Sequence, residues 1–244
     1  MKIAQFLLTR FNAAVEYAPE DTGIDSAWLS CRFELFEKFC LPSVAGQSEK
    51  NFHWILLASE RTPHQWLERL LADLARVSSP AAILLIEQYS ESYFVSAMQA
   101  RLDPTIDRVV STRLDNDDAI AREYLADVRR EAHAVPKDGN FVINFRQGCQ
   151  VAATGIFPRL APLNPFLSLV SSPRNLKSAF SAHHERMNRV GTVIDKLDRK
   201  AKWLQVIHQR NAASRLHGGI QPCSEAYLSN FSLGRNWQSC LLTL

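Results

Sequence analysis

Apolar residues run unbroken in some parts of this chain and recur every three to four positions in others, and the two patterns alternate. Ile3 to Leu8, Phe52 to Ala58, Ala82 to Ile86 and Arg108 to Leu114 read as short strands, the apolar runs of a sheet covered on both faces. Between them, Trp28, Leu29, Arg32, Phe33, Leu35, Phe36, Phe39 and Cys40 fall at helical spacing, and Pro42 is expected to stop that helix. Thr62-Pro63-His64-Gln65 combines an N-cap, a proline at the first helical position and a capping-box Gln, opening a helix through Leu74. Tyr93 to Leu102 and Ala119 to Ala134 also read as helices. Strand alternating with helix predicts βαβ units and a mostly parallel sheet.

After Gly139 the pattern changes. Phe141 to Phe145 and Cys149 to Thr154 read as two strands of a hairpin joined by Arg146-Gln147-Gly148. Pro158, Pro162, Pro165 and Pro173 punctuate a long irregular stretch, a candidate acceptor-binding loop or a passive surface excursion. Asn175 to Asn188 is ambiguous between helix and strand plus loop, and Lys202 to Ile207 reads as a last strand ending at His208. In the tail, Trp237, Leu241 and Leu242 are expected to dock back on the body.

The 244 residues suit one α/β domain, and 46% hydrophobic with 22% charged residues indicates neither disorder nor a fibre. A net charge of +3 does not argue for nucleic acid, although Lys and Arg cluster between Lys196 and Arg215. No stretch approaches the roughly 20 apolar residues that span a bilayer, and the N-terminal run is too short for a signal peptide. A cytoplasmic protein is the expectation, with peripheral membrane association left open. Cys31, Cys40, Cys149, Cys223 and Cys240 are odd in number and scattered, which reads as reduced packing thiols.

Chemistry is concentrated in Asp115-Asn116-Asp117-Asp118, three carboxylates in four residues directly after the fourth strand. Like charges this close require a cation, and the carboxyl end of a strand is where open α/β sheets bind ligands. A divalent ion carrying a diphosphate satisfies both. The plainer account is that Asp115 or Asn116 caps a helix whose dipole favours the other acids. An EF-hand is excluded, because its obligatory sixth-position Gly is Ile120 here.

Several phrases converge on one family: Thr9-Arg10-Phe11-Asn12 after the first strand, Leu41-Pro42-Ser43-Val44 before Gln47, and Asn51-Phe52-His53-Trp54. To these are added Thr112 to Ala119, Asn164-Pro165-Phe166-Leu167-Ser168-Leu169 and Trp203-Leu204-Gln205-Val206-Ile207-His208. Together they resemble the bacterial putative rhamnosyltransferase family, itself similar to GT-A glycosyltransferases, over the chain from its first strand to about Gly218. The resemblance implies a nucleoside-diphosphate sugar donor, with deoxythymidine-diphosphate rhamnose a candidate, Mn2+ or Mg2+ at the Asp-x-Asp motif, and transfer to a glycan hydroxyl. It assigns Asp115, Asp117 and the late His208 to the metal, and divides the chain into a nucleotide-sugar half (1–135), an acceptor half (136–220) and a tail (221–244).

Within that frame Asp117 is the direct ligand and leading catalytic candidate, Asp115 makes a ribose or water-mediated contact, and Asp118 supports the ligands or caps the helix. Arg113 can reach the sugar or diphosphate and Arg10 the base or phosphate, with Thr9 and Asn12 in the same donor-binding turn. Inversion would need a general base. The acid expected after Ser168-Leu169-Val170 is Ser171 here, which leaves Glu185, beside His183 and His184, as the candidate, and a retaining outcome stays open. Gln209-Arg210-Asn211 follows His208 where the family pattern has a Gly and an Asn. Two other readings compete: a sugar nucleotidyltransferase, disfavoured because the first turn lacks glycine, and a non-catalytic module binding nucleic acid or an anionic glycan through the basic stretch near Trp203.

Overall fold

The computed structural model describes residues 1–13, 23–208, 216 and 221–243. The four expected apolar runs become β1 (Ile3–Arg10), β2 (His53–Ser59), β3 (Ala81–Ile86) and β4 (Arg108–Arg113). All four are parallel, in the order β3-β2-β1-β4. Beyond β4 the sheet continues through β9 (Ser168–Ser171), β6 (Phe141–Phe145) and β10 (Thr192–Lys196), and β9 is its single antiparallel member. This is the expected α/β class with a mostly parallel seven-stranded sheet.

Two apolar clusters cover its faces. Phe33, Phe36, Trp54 and Tyr124 belong to one, and Phe6, Ile55, Phe94 and Met98 to the other, all essentially inaccessible. Each such side chain contributes about 1.5–3 kcal/mol by leaving water. The helices that supply them are α1 (Ser26–Leu35), α2 (Leu41–Ala45), α3 (His64–Leu74), α4 (Glu91–Gln99) and α5 (Tyr124–Ala134).

Pro42 does not stop the first helix. A single π turn, Phe36–Cys40, joins α1 to α2 and carries the chain through the proline. A proline both lacks its N–H and clashes with the carbonyl four residues back. That carbonyl, on Lys38, accepts instead from Gly234 N–H at 2.8 Å, so the lost helical bond is replaced from the C-terminal segment. Thr62 is likewise not a helix cap: its hydroxyl donates to Ser59 O at 2.6 Å, and Pro63 takes the cap position without a side-chain bond.

Ala119–Ile120 opens no helix. It forms β5 of a second sheet with β11 (Trp203–Val206), β7 (Gln147–Ala152) and β8 (Gly155–Leu160), in the order β5-β11-β7-β8. Nor do β6 and β7 form a hairpin, since they belong to different sheets. The hairpin is β7–β8, and Gly155 takes the positive φ (+140°) that its turn needs. Pro158 sits in edge strand β8, so the stretch expected to be irregular has strands at both ends. Gly148 is required: a Cβ there would lie 2.0 Å from the Trp203 ring. Residues 175–188 contain short 3-10 turns, at Pro173–Asn175 and His184–Arg189.

The tail docks through α6 (Trp237–Thr243), with the Trp237 ring 5.8 Å from Phe39 and Leu241 buried; the Leu242 side chain lies outside the described set. All five cysteines are free thiols. No described helix is long and apolar enough to cross a membrane.

Candidate active site

β1 and β4 are neighbours in parallel register, so their carboxyl ends deliver Arg10 and the Asp115–Asp118 turn to the same edge of the sheet. The small sheet supplies the third component. Antiparallel pairing of Leu204 with Ala119 and Trp203 with Ile120 runs β11 back past the acidic turn. Asp118 then accepts from Val206 N–H at 2.8 Å, and His208 arrives with its Nε2 3.0 Å from Asp117 Oδ2.

The same Asp117 oxygen accepts from Arg32 Nη1 at 2.6 Å, and Arg32 also donates to Asn116 Oδ1 at 3.0 Å. Asn116 is held by donating its amide to Phe11 O. Arg32 lies over the Trp28 ring at 4.8 Å. Asp115 turns the other way, 3.5 Å from Arg10. The Arg10 guanidinium lies over Phe180 at 4.9 Å and Tyr89 at 5.4 Å, and Arg113 lies over Phe180 at 4.5 Å. The edge is open at Asp115, with 33% of its side chain exposed, and closes to 10% at Asp117 and 2% at His208.

Burial alone would raise the Asp117 carboxyl, but the Arg32 guanidinium and His208 outweigh it and hold this group well below the usual carboxylate range. Asp118 moves the opposite way: burial first, then the charges of Asp117 and Asp115, push it well above its ordinary value. Burial and those same carboxylates raise the thiol of Cys40 beneath the turn, which keeps it unreactive.

Of the residues expected here, Asp115, Asp117, His208, Arg10 and Arg113 come together. Thr9 and Asn12 do not face this edge. Thr9 is inaccessible and its hydroxyl accepts from the Trp54 indole at 3.0 Å. Asn12 donates to Gly23 O and Thr62 Oγ1, both at 2.8 Å, and accepts from Ser59 N–H, so it ties the loops together. Glu185 is 74% exposed with its carboxylate 3.7 Å from His183, whose ring lies 4.2 Å from that of His184. Burial, then the charge of Arg113, lowers His184 to about 3. Ser171, at the position expected to be acidic, is buried within β9 and reaches Lys177 O at 3.4 Å. Arg32, Asn116, Tyr89 and Phe180 were not foreseen. For Arg32 a signal existed: it is the one cation on the apolar face of its helix.

Among the described residues no three His, Cys, Asp or Glu side chains converge on one metal position. The expected set of Asp115, Asp117 and His208 is therefore reduced to its last two members. A magnesium-type ion is commonly held by one or two protein groups with phosphate oxygens completing its shell. A carboxylate and an imidazole 3.0 Å apart, with a guanidinium already standing in as counter-charge, fit an ion that arrives with a diphosphate.

The chain belongs to the family described as "Putative rhamnosyl transferase", whose model matches residues 13–220, and it is a glycosyltransferase. Among solved structures it is similar to S. aureus TarS, with 16% identity over 85% of this chain and a TM-score of 0.45. It spans 37% of that longer protein. It is also similar to a putative nucleotide-diphospho-sugar transferase from Desulfovibrio desulfuricans G20, at 11% identity over 81% of each chain and a TM-score of 0.43. A third likeness is to mouse xyloside xylosyltransferase 1, at 11% identity, covering 77% of this chain and 69% of that one, with a TM-score of 0.36. No curated protein sequence matches the chain.

Proposed function

We propose that this chain is a GT-A-like enzyme that moves rhamnose from a nucleoside-diphosphate donor, deoxythymidine-diphosphate rhamnose, to a hydroxyl of a glycan acceptor. The observation that carries the proposal is the meeting of Asp117 and His208, 91 positions apart, at a sheet edge flanked by three arginines. Asp117 and His208 would hold a divalent ion, Mn2+ or Mg2+, together with the donor's phosphates. When bound, that ion offsets charge on the departing diphosphate.

The chain's own groups do the rest. Arg10 and Arg113 bind diphosphate oxygens by charge-assisted hydrogen bonds, and each gains strength as the leaving group acquires charge. Their guanidinium planes are held by the Phe180 and Tyr89 rings, so less side-chain freedom is lost on binding. Asp115 stays with Arg10 and contacts the donor ribose. Glu185, exposed and close to His183, takes the proton from the acceptor hydroxyl. Residues 1–135 thus carry donor binding, and 136–220 the acceptor side together with His208, followed by the tail from 221. Within the described part of the basic stretch, Lys196 pairs with Glu131 at 2.6 Å and Lys202 with Asp127. Residues 209–215 lie outside the described set.

A panel of nucleotide sugars assayed for donor hydrolysis with Mn2+, Mg2+ or chelator tests this reading. Turnover of the deoxythymidine donor, lost on chelation, supports it. Absence of turnover with every sugar and ion would end it. Glu185→Gln should slow transfer to an acceptor about 100-fold while donor binding, read by calorimetry, stays unchanged.

A further inference from the structure

Resting on that reading, we infer that Arg32 is a built-in cation that occupies Asp117 until a divalent ion arrives, so that loading the site exchanges guanidinium for metal. Arg32 is not a surface ion pair. Its side chain is 12% exposed, its Nη1 is shared between Asp117 Oδ2 and Asn116 Oδ1, and Trp28 flanks its plane. Its seat is prepared: Asn116, the middle residue of Asp-x-Asp, is fixed through Phe11 O so that its own oxygen faces Arg32.

The arrangement answers the problem posed by the acidic turn. Asp115, Asp117 and Asp118 crowd one edge, and without a counter-charge the folded state would carry their repulsion. Arg10 neutralises Asp115 and Arg32 neutralises Asp117, so the turn is stable before any ligand binds. The consequence is competition. An ion bonded to Asp117 Oδ2 would stand a few ångströms from a fixed positive charge in a poorly screened place, and the two repel. Arg32 therefore has to leave the oxygen, and a diphosphate entering with the ion offers it new acceptors. Metal affinity without nucleotide is then weak by construction, and ion and donor bind together.

The test is Mn2+ binding to the full-length protein without nucleotide, read from the electron paramagnetic resonance of free Mn2+. Arg32→Met, which keeps the stem and removes the charge, should bind Mn2+ at least 10-fold more tightly than the wild type, and Arg32→Lys should stay near the wild type. Equal or weaker binding by Arg32→Met, with Asp117→Asn abolishing it in every background, would overturn the exchange while leaving the metal site standing. No Mn2+ binding by any form, even with deoxythymidine diphosphate, would remove the metal reading and this inference with it. A measurement on the wild type covers the case in which Arg32→Met does not fold. Mg2+ plus nucleotide should change the tryptophan emission, and Trp28→Phe should abolish the change; an unaltered spectrum at saturating ligand counts against displacement.

Discussion

The two sheets of this protein differ in how they are built and in what they contribute. The large sheet is built on apolar strands, with β1, β2 and β3 side by side in chain order, and it carries the acidic turn at the end of β4. The small sheet is collected from distant fragments, two residues at β5, four at β11 and a hairpin between them in sequence, yet it delivers His208 to Asp117. The strong sheet supplies the charge. The weak one aims the partner.

That contrast can be attacked from either side, beginning with the site itself. Asp117→Ala and His208→Ala, one from each side of the junction, should each lower donor turnover by about 100-fold or more, the scale of losing one preorganised charge-stabilising group. Steady-state kinetics with the best donor measures it, and normal turnover in His208→Ala would show that the small sheet has no share in the chemistry.

Next in size is Gly148→Val. A side chain there would enter the Trp203 ring, and overpacking of this kind costs about 3 kcal/mol. Denaturant unfolding should show the loss, and donor turnover should fall with it because β7 and β11 are paired.

A smaller effect concerns pH. His184 is lowered from its usual 6.5 to about 3, so the folded protein keeps it neutral while the unfolded chain protonates it. The stability it contributes is complete above pH 6.5 and is lost as pH falls from there toward 3. Between pH 7 and pH 5 the loss should be about 1 kcal/mol after allowing for solvent screening. His184→Gln should flatten that part of the stability profile, and an unchanged profile would place the histidine in solvent.

The smallest effect is expected for Pro42→Ala. The Lys38 carbonyl already has Gly234 as its donor, so restoring a helical N–H should change stability by less than about 1 kcal/mol. A gain well beyond that would mean that the proline strains the π turn.

Where local pattern and burial agree, the sequence was legible. β1 to β4 and α3 to α5 lie near their predicted places, because an apolar run or an apolar stripe of sufficient length has few ways to leave water. The acidic turn was legible too, since three carboxylates in four residues require positive charge whatever the fold. Ala119–Ile120 was misplaced because two residues carry no period, and only pairing with β11 makes them a strand. The supposed hairpin at Arg146 failed because turn chemistry says nothing about which sheet each flank will join.

By itself, then, the chain determined an α/β body with a cation-demanding edge after its fourth strand. Tertiary structure alone decided which cations meet that demand. Arg10 comes from β1, Arg32 from α1, and His208 from just beyond β11, a strand brought alongside by register. Charge need is written in composition over a few residues, whereas charge pairing depends on distances that only the packed sheets set.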